Sequence, residues 1–158
     1  MSEHEIERPK KKQKKYYSDK QKYHTIKSQV LANTKSTEII CTAFSKGKTP
    51  DFSLFKKSKV GMKEEVELLG NKGYQGIKNI HTNSRTPLKK IKNKKLSQTE
   101  KKLNLQLAKD RIIIENIHRS LNIFRRLSSR YRNRRRRFGL RFNWIAGIDN
   151  YELYLKKN

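Results

Sequence analysis

Apolar positions in the second half of the chain recur with a helical period. Leu103, Leu107, Ile114, Ile117, Leu121 and Phe124 follow one another at intervals of three, four or seven residues, so they share one helix face. Ser97-Gln98-Thr99-Glu100 ahead of them reads as a capping box, in which Ser97 accepts from the Glu100 amide and the Glu100 side chain reaches back. This predicts one long helix from Ser97. A final helix follows over Arg141 to Leu155, with Phe142, Trp144, Ile145, Ile148, Tyr151 and Leu155 packing back on the core. The first half has strand-like runs instead. Tyr23 to Leu31 and Glu38 to Phe44 flank the turn residues Asn33-Thr34-Lys35-Ser36 and predict a hairpin. Thr49-Pro50-Asp51 offers an N-cap hydroxyl, a proline at the first helical position and an acid in the first turn, which predicts a short helix through Lys57. Val66 to Leu69 is a short strand running into the turn Gly70-Asn71-Lys72-Gly73. His81 to Lys95 is a basic loop containing Pro87. Hairpin, helix, strand, long helix and helix make a mixed α/β chain. At 158 residues it is one domain: a basic arm over 1–18, strands and a short helix over 19–95, and C-terminal helices over 96–158.

Charge changes this picture from an ordinary small domain to one with a polyanionic partner. Lys and Arg number 40 against 14 acidic residues, a net charge of +26. A compact chain so charged repels itself unless a polyanion neutralises it, so nucleic acid, and DNA in particular, is the expected partner. An anionic membrane surface is the weaker alternative, because the basic runs do not border an exposed apolar helix face. Membrane spanning is not expected, since no window has the ~18 continuous apolar residues of a span. Residues 1–17 are charged throughout and carry no signal-peptide core. The lone Cys41 excludes an internal disulfide and fits a reducing cytoplasm; its apolar run makes it a core residue.

Two basic stretches stand out. Lys10, Lys11, Lys12, Lys14 and Lys15 form either a solvated tail or an arm that contacts phosphate. From Arg125 to Arg141, nine of seventeen residues are arginine, with Tyr131 and Phe138 among them. A solvated helix face would explain that run, and so would a nucleic-acid surface built on Arg130, Arg132, Arg134, Arg135, Arg136, Arg137 and Arg141.

Candidate chemistry is sparse. No phosphate loop or dinucleotide fingerprint is present, and His4, His24, His81 and His118 lack metal-ligand spacing. Among the acids, Asp51, Asp110, Glu115 and Asp149 lie near apolar elements. Glu115 sits about 100° off the apolar stripe of its helix, with Arg111, His118 and Arg119 three or four positions away. It is open to two readings: a surface pair with Arg119, or an oxygen ligand for a divalent cation such as magnesium.

Residues 3–153 resemble the catalytic part of bacterial insertion-sequence transposases of the DDE type. The likeness lies in Glu3-His4-Glu5-Ile6-Glu7-Arg8-Pro9, Tyr16-Tyr17-Ser18, His24-Thr25-Ile26-Lys27 and Asp51-Phe52. It continues through Gly73-Tyr74-Gln75-Gly76, Thr86-Pro87, Arg111 to Asn116, Arg130 to Arg135 and Arg137 to Asn143. The resemblance implies an RNase H-like fold with a central first strand, and three acids holding two divalent ions that cut and rejoin DNA. Matched position by position, the third acid is Glu115, the second falls on Asn71, and the first falls just before Met1. The expectation is therefore an α/β domain truncated at the N-terminus and lacking its first, central strand. Its site would keep Glu115, with Asn71 a weak amide ligand for Mg2+. Such a chain would be a catalytically inactive transposase remnant that still binds DNA, with association through exposed sheet edges. The alternative is a basic nucleic-acid-binding protein without an enzymatic role. Asp51 matches a recurrent family residue that is not a metal ligand, and opening its helix accounts for it.

Overall fold

In the computed structural model, which describes residues 1–89 and 96–157, the predicted hairpin lies in a three-stranded antiparallel sheet. Its strands are β1 (Ser2–Glu5), β2 (Thr25–Ala32) and β3 (Ile39–Lys46), in that spatial order. The hairpin turn closes as its residues dictate: Asn33 Oδ1 accepts from the Lys35 and Ser36 amides at 2.8 and 3.2 Å. A second, two-stranded sheet pairs β4 (Leu68–Leu69) in parallel with β5 (Ser84–Arg85). The helices are α1 (Gln13–Tyr16), α2 (Asp51–Ser58), α3 (Gln98–Asp110), α4 (Ile112–Ile123), α5 (Arg125–Ser128) and α6 (Phe138–Lys157). Lys90 to Lys95 of the predicted basic loop lie outside the described residues.

The main core sits between the three-stranded sheet and α4–α6. Phe142 is fully buried, and its ring lies 5.2 Å from Phe44 of β3 and 5.7 Å from His4 of β1. Gly139 lets α6 come this close: a Cβ there would stand 3.0 Å from the Phe44 ring. Ser120 of α4 donates to buried Asp149 of α6, so that carboxylate serves helix packing. A smaller core of Phe55, Leu68, Tyr74 and Ile77 lies beneath α2 and β4.

Five expectations are corrected. Residues 2–9, assigned to the basic arm, belong to the folded body: β1 pairs with β2 in the register Ser2↔Ser28 to Glu5↔Thr25, and His4, Ile6 and Pro9 are buried. The long helix divides into α3 and α4 at Arg111, whose amide bonds to both Leu107 and Lys109 carbonyls, and Leu103 is 63% exposed. The last helix begins at Phe138, and it has two apolar faces, because Trp144, Ile148, Tyr151 and Leu155 are exposed while Phe142 and Ile145 are buried. Pro50 rather than Thr49 is the N-cap of α2, with no side-chain bond. Cys41 is only half-buried on β3, with partial burial pushing its thiol pKa up. The capping box at Ser97 forms as read.

Candidate functional site

Two strand ends and one helix meet at the positions singled out in the sequence. Asn71, two residues past the end of β4, caps the 3-10 helix Lys72–Tyr74, its Oδ1 accepting from the Gly73 amide at 2.7 Å. That carbonyl oxygen is thus engaged locally. Asp51, at the start of α2, reaches the same place: a Cβ on Gly73 would stand 2.9 Å from Asp51 Oδ2 and 3.0 Å from Asn71 Oδ1. The Asp51 carboxylate is neutralised by Lys27 Nζ at 3.0 Å, which also lies 3.7 Å from Glu3 and donates to the Thr49 carbonyl at 2.9 Å. Asp51 therefore does more than open α2. Tyr74 packs beside this group and donates to Gln29 at 3.3 Å; burial first, and then the Asp51 charge, push its hydroxyl pKa well up.

Met1 comes to the same region from the start of β1. Its amino group donates to His118 Nε2 of α4 at 3.2 Å. Burial lowers the pKa of this amine, Asp51 opposes that shift, and Arg111 adds to it. Met1, Asn71, Arg111 and Ile114 line one cavity of about 70 Å³. Glu115 is exposed in the first turn of α4, four residues after Arg111 and three before His118, so these side chains share a helix face. Among the described residues no ion pair joins it to Arg119. The fold thus brings Met1, Asn71 and the start of α4, through Arg111 and Ile114, to one place. Sequence reasoning missed Met1, His118 and Lys27 here, because pairs such as Met1 and His118 are 117 residues apart.

The donor set does not fit a two-ion centre. Divalent ions of this kind want converging carboxylates, whose charge offsets the repulsion between the ions. Here an engaged amide, an amino group and a guanidinium line the cavity, and among the described residues no carboxylate does. Among the described residues, no group of three or more His, Cys, Asp and Glu is placed to hold a metal.

Half-buried His118 has its pKa pulled down to about 3, first by desolvation and then by the Met1 amine and His4. The pKa of His4 is lowered too, chiefly by burial, although its Nδ1 donates to the Leu127 carbonyl at 2.9 Å. Both rings are neutral in the fold and would take a proton in the unfolded chain. Between about pH 3 and the ordinary imidazole range near 6.5, the unfolded state therefore binds more protons. Stability is expected to be full above that range and to fall as pH drops toward 3. In thermal melts against pH, His118→Asn should flatten this decline between about pH 6.5 and 5, where carboxylates contribute little. An unaltered profile would mean that His118 is not held neutral.

The basic stretches form a second feature. Lys10, Lys11, Lys12, Lys14 and Lys15 are exposed around α1, as are Arg130, Arg132, Arg134, Arg136 and Arg137; Arg135 and Arg141 are half-buried. The two runs are neighbours. The Arg135 guanidinium stands 5.2 Å over the Tyr16 ring of α1, and the Tyr131 amide donates to the Glu5 carbonyl of β1 at 2.8 Å. Arg125, Arg126, Arg130 and Arg132 line a depression of about 250 Å³. Tyr131 and Phe138 are 4% and 1% exposed, so they are core residues and not stacking platforms for bases. Arg141 donates to the Tyr131 hydroxyl at 2.9 Å, a structural contact that leaves it less free for phosphate.

Residues 2–150 match the DDE superfamily endonuclease family. The chain belongs to that family. A similar protein is the probable transposase for insertion sequence element IS702 of Microchaete diplosiphon, 51% identical over 156 residues. That alignment takes in 99% of this chain and 56% of the relative, so this chain spans little more than half the relative's length. No solved structure matches it. Among the described residues, no helix of this family member is long and apolar enough to cross a membrane.

Proposed function

We propose that this chain is the acid-poor part of an insertion-sequence transposase domain, binding DNA without cutting it as it stands. The observation that carries the reading is the convergence on one cavity of Met1, Asn71 and, from the α4 side, Arg111 and Ile114, with Glu115 next to Ile114 in the first turn of that helix. On this reading Asn71 stands in the place of the family's second acid and Glu115 in that of the third, so the site is short of a carboxylate. The family's reaction is DNA cleavage and strand transfer at divalent ions, which this donor set does not support.

The fold reading is RNase H-like. β1 pairs only with Thr25 to Ser28 of β2, which leaves the Gln29–Ala32 half of that strand without a ladder partner on the same side among the described residues. Val30 and Leu31 there share two cavities with Leu68 and Leu69 of β4, the larger about 390 Å³. A strand continuing β1 backwards from Met1 would run antiparallel to β2 through this slot. On this reading β1 is the end of the family's first strand, and the remainder, with its aspartate, belongs in the slot. The bare edges of β2 and β4 would otherwise invite pairing with another chain.

DNA contact on this proposal is electrostatic and unselective for sequence, because the arginines and lysines offer phosphate contacts while Tyr131 and Phe138 of the arginine run are buried. The test is binding to short duplexes over a range of salt, beside incubation of supercoiled plasmid with magnesium. Affinity should fall steeply with salt, without nicking. Replacing Arg134 to Arg137 with alanine should reduce the slope of log K against log salt by about 3. An unchanged slope would remove these arginines from the DNA surface. Nicking by the unaltered chain would overturn the inactive reading, and loss of all binding would remove DNA as partner.

A further inference from the structure

Helix α6 has a second apolar stripe that is exposed among the described residues. Leu140, Trp144, Ile148, Tyr151 and Leu155 follow at helical spacing and are 53%, 66%, 46%, 61% and 56% exposed. A Cβ on Gly147, within the stripe, would meet nothing within 4 Å. A contiguous apolar face of this size on an otherwise highly charged surface marks an interaction site.

We propose that this face docks on the same face of a second copy of the chain, the two α6 helices packing antiparallel about Gly147 and Ile148. The spacing is self-complementary. Reversed about that point, Trp144 lies opposite Tyr151 and Leu140 opposite Leu155, as a two-fold axis requires. Gly147 at the crossing lets the backbones approach. Charge permits the contact: the chain carries +26, but from Leu140 to Leu155 the charged residues are Arg141, Asp149 and Glu152. This face is thus the one long stretch where two copies can meet without opposing cations. A lipid surface would want Lys and Arg flanking the stripe, which this helix has only at its ends. The five side chains of each copy would together bury roughly 1,000 Å², the low end for a specific interface, so the dimer forms in the micromolar range.

Trp144 is the only tryptophan, so its emission reads this face directly. Sedimentation velocity from about 1 to 200 µM should show monomer passing to dimer, with Trp144 emission moving to the blue over the same range. Raising salt from about 0.15 to 0.5 M should strengthen this association by screening like charges, the reverse of its effect on DNA binding. Ile148→Lys, at an exposed position, should keep the circular dichroism of the parent while remaining monomeric with red emission at every concentration. A parent that stays monomeric with water-exposed Trp144 at both salts overturns the proposal. Blue emission from the monomer would place Trp144 inside its own chain and equally overturn it. So would a blue shift that needs anionic vesicles, and so would a dimer that survives Ile148→Lys, whose contact would lie at a sheet edge.

Discussion

Magnesium-dependent nicking of supercoiled plasmid is expected from a chain repaired at two places, and from neither repair alone. The first repair is an N-terminal extension that fills the slot beside Gln29 to Ala32 and ends in aspartate next to Met1. The second is Asn71→Asp. Extension turns the Met1 amine, now donating to His118 at 3.2 Å, into an ordinary amide, and so removes a cation from the cavity that Asn71 and Arg111 line. It also joins β2 to β4 across the cavity lined by Val30, Leu31, Leu68 and Leu69, fixing the spacing of the ligands. Asn71→Asp supplies the second charge, at the cost of the cap bond to Gly73 unless the new carboxylate keeps it. One carboxylate added to Glu115 leaves a two-ion centre short of the negative charge that holds both ions, so each single repair should stay at background. Glu115→Gln in the double repair should return nicking to background again. Activity that ignores this change, or that persists under chelator, would sink the assignment of the site.

This site was legible in the sequence only through the resemblance. Asn71 and Glu115 carry no local signal: one reads as a turn residue and the other as a surface acid on a helix. The structure adds what spacing cannot reveal. Met1 reaches His118 across 117 residues, and Lys27 on β2 ties Glu3 to Asp51. Asp51 looked like a helix opener and is one, yet its second oxygen lies against Gly73 beside Asn71.

The fold was legible where local chemistry decides it. Asn33 closes the hairpin and Ser97 caps α3, each by a side chain bonding to nearby amides. β1 escaped because Ser-Glu-His-Glu has no alternation of apolar and polar positions. It is a strand through its pairing with β2 and the burial of His4, a tertiary effect that propensity does not contain. The break at Arg111 escaped for a related reason. No proline or glycine stands there, and Arg111 keeps helical angles of φ −89° and ψ −4°, so the apolar period runs through it undisturbed. The aromatics in the arginine run misled in the opposite direction. Tyr131 is drawn inward by its backbone pairing with β1, and Phe138 by the ring cluster with His4 and Phe44.

Phe142→Ala is expected to cost about 3–5 kcal/mol, enough to leave much of the chain unfolded at room temperature. Its ring is 0% exposed and holds three elements together, touching His4 of β1, Phe44 of β3 and Phe138 of its own helix. At Gly139 the α6 backbone already lies so near Phe44 that a Cβ would stand 3.0 Å from its ring, so the helix has little room to settle into the space left behind. The net charge of +26 makes the loss worse, since self-repulsion offsets part of whatever stability the core supplies. Trp144, two residues on and 66% exposed, provides the contrast. Trp144→Ala should change stability by less than about 0.5 kcal/mol when measured at low micromolar concentration, where any dimer has dissociated. Urea denaturation followed by circular dichroism gives both numbers. Comparable losses from the two changes would mean that α6 is rotated about its axis, and that the buried and exposed stripes have been assigned to the wrong faces.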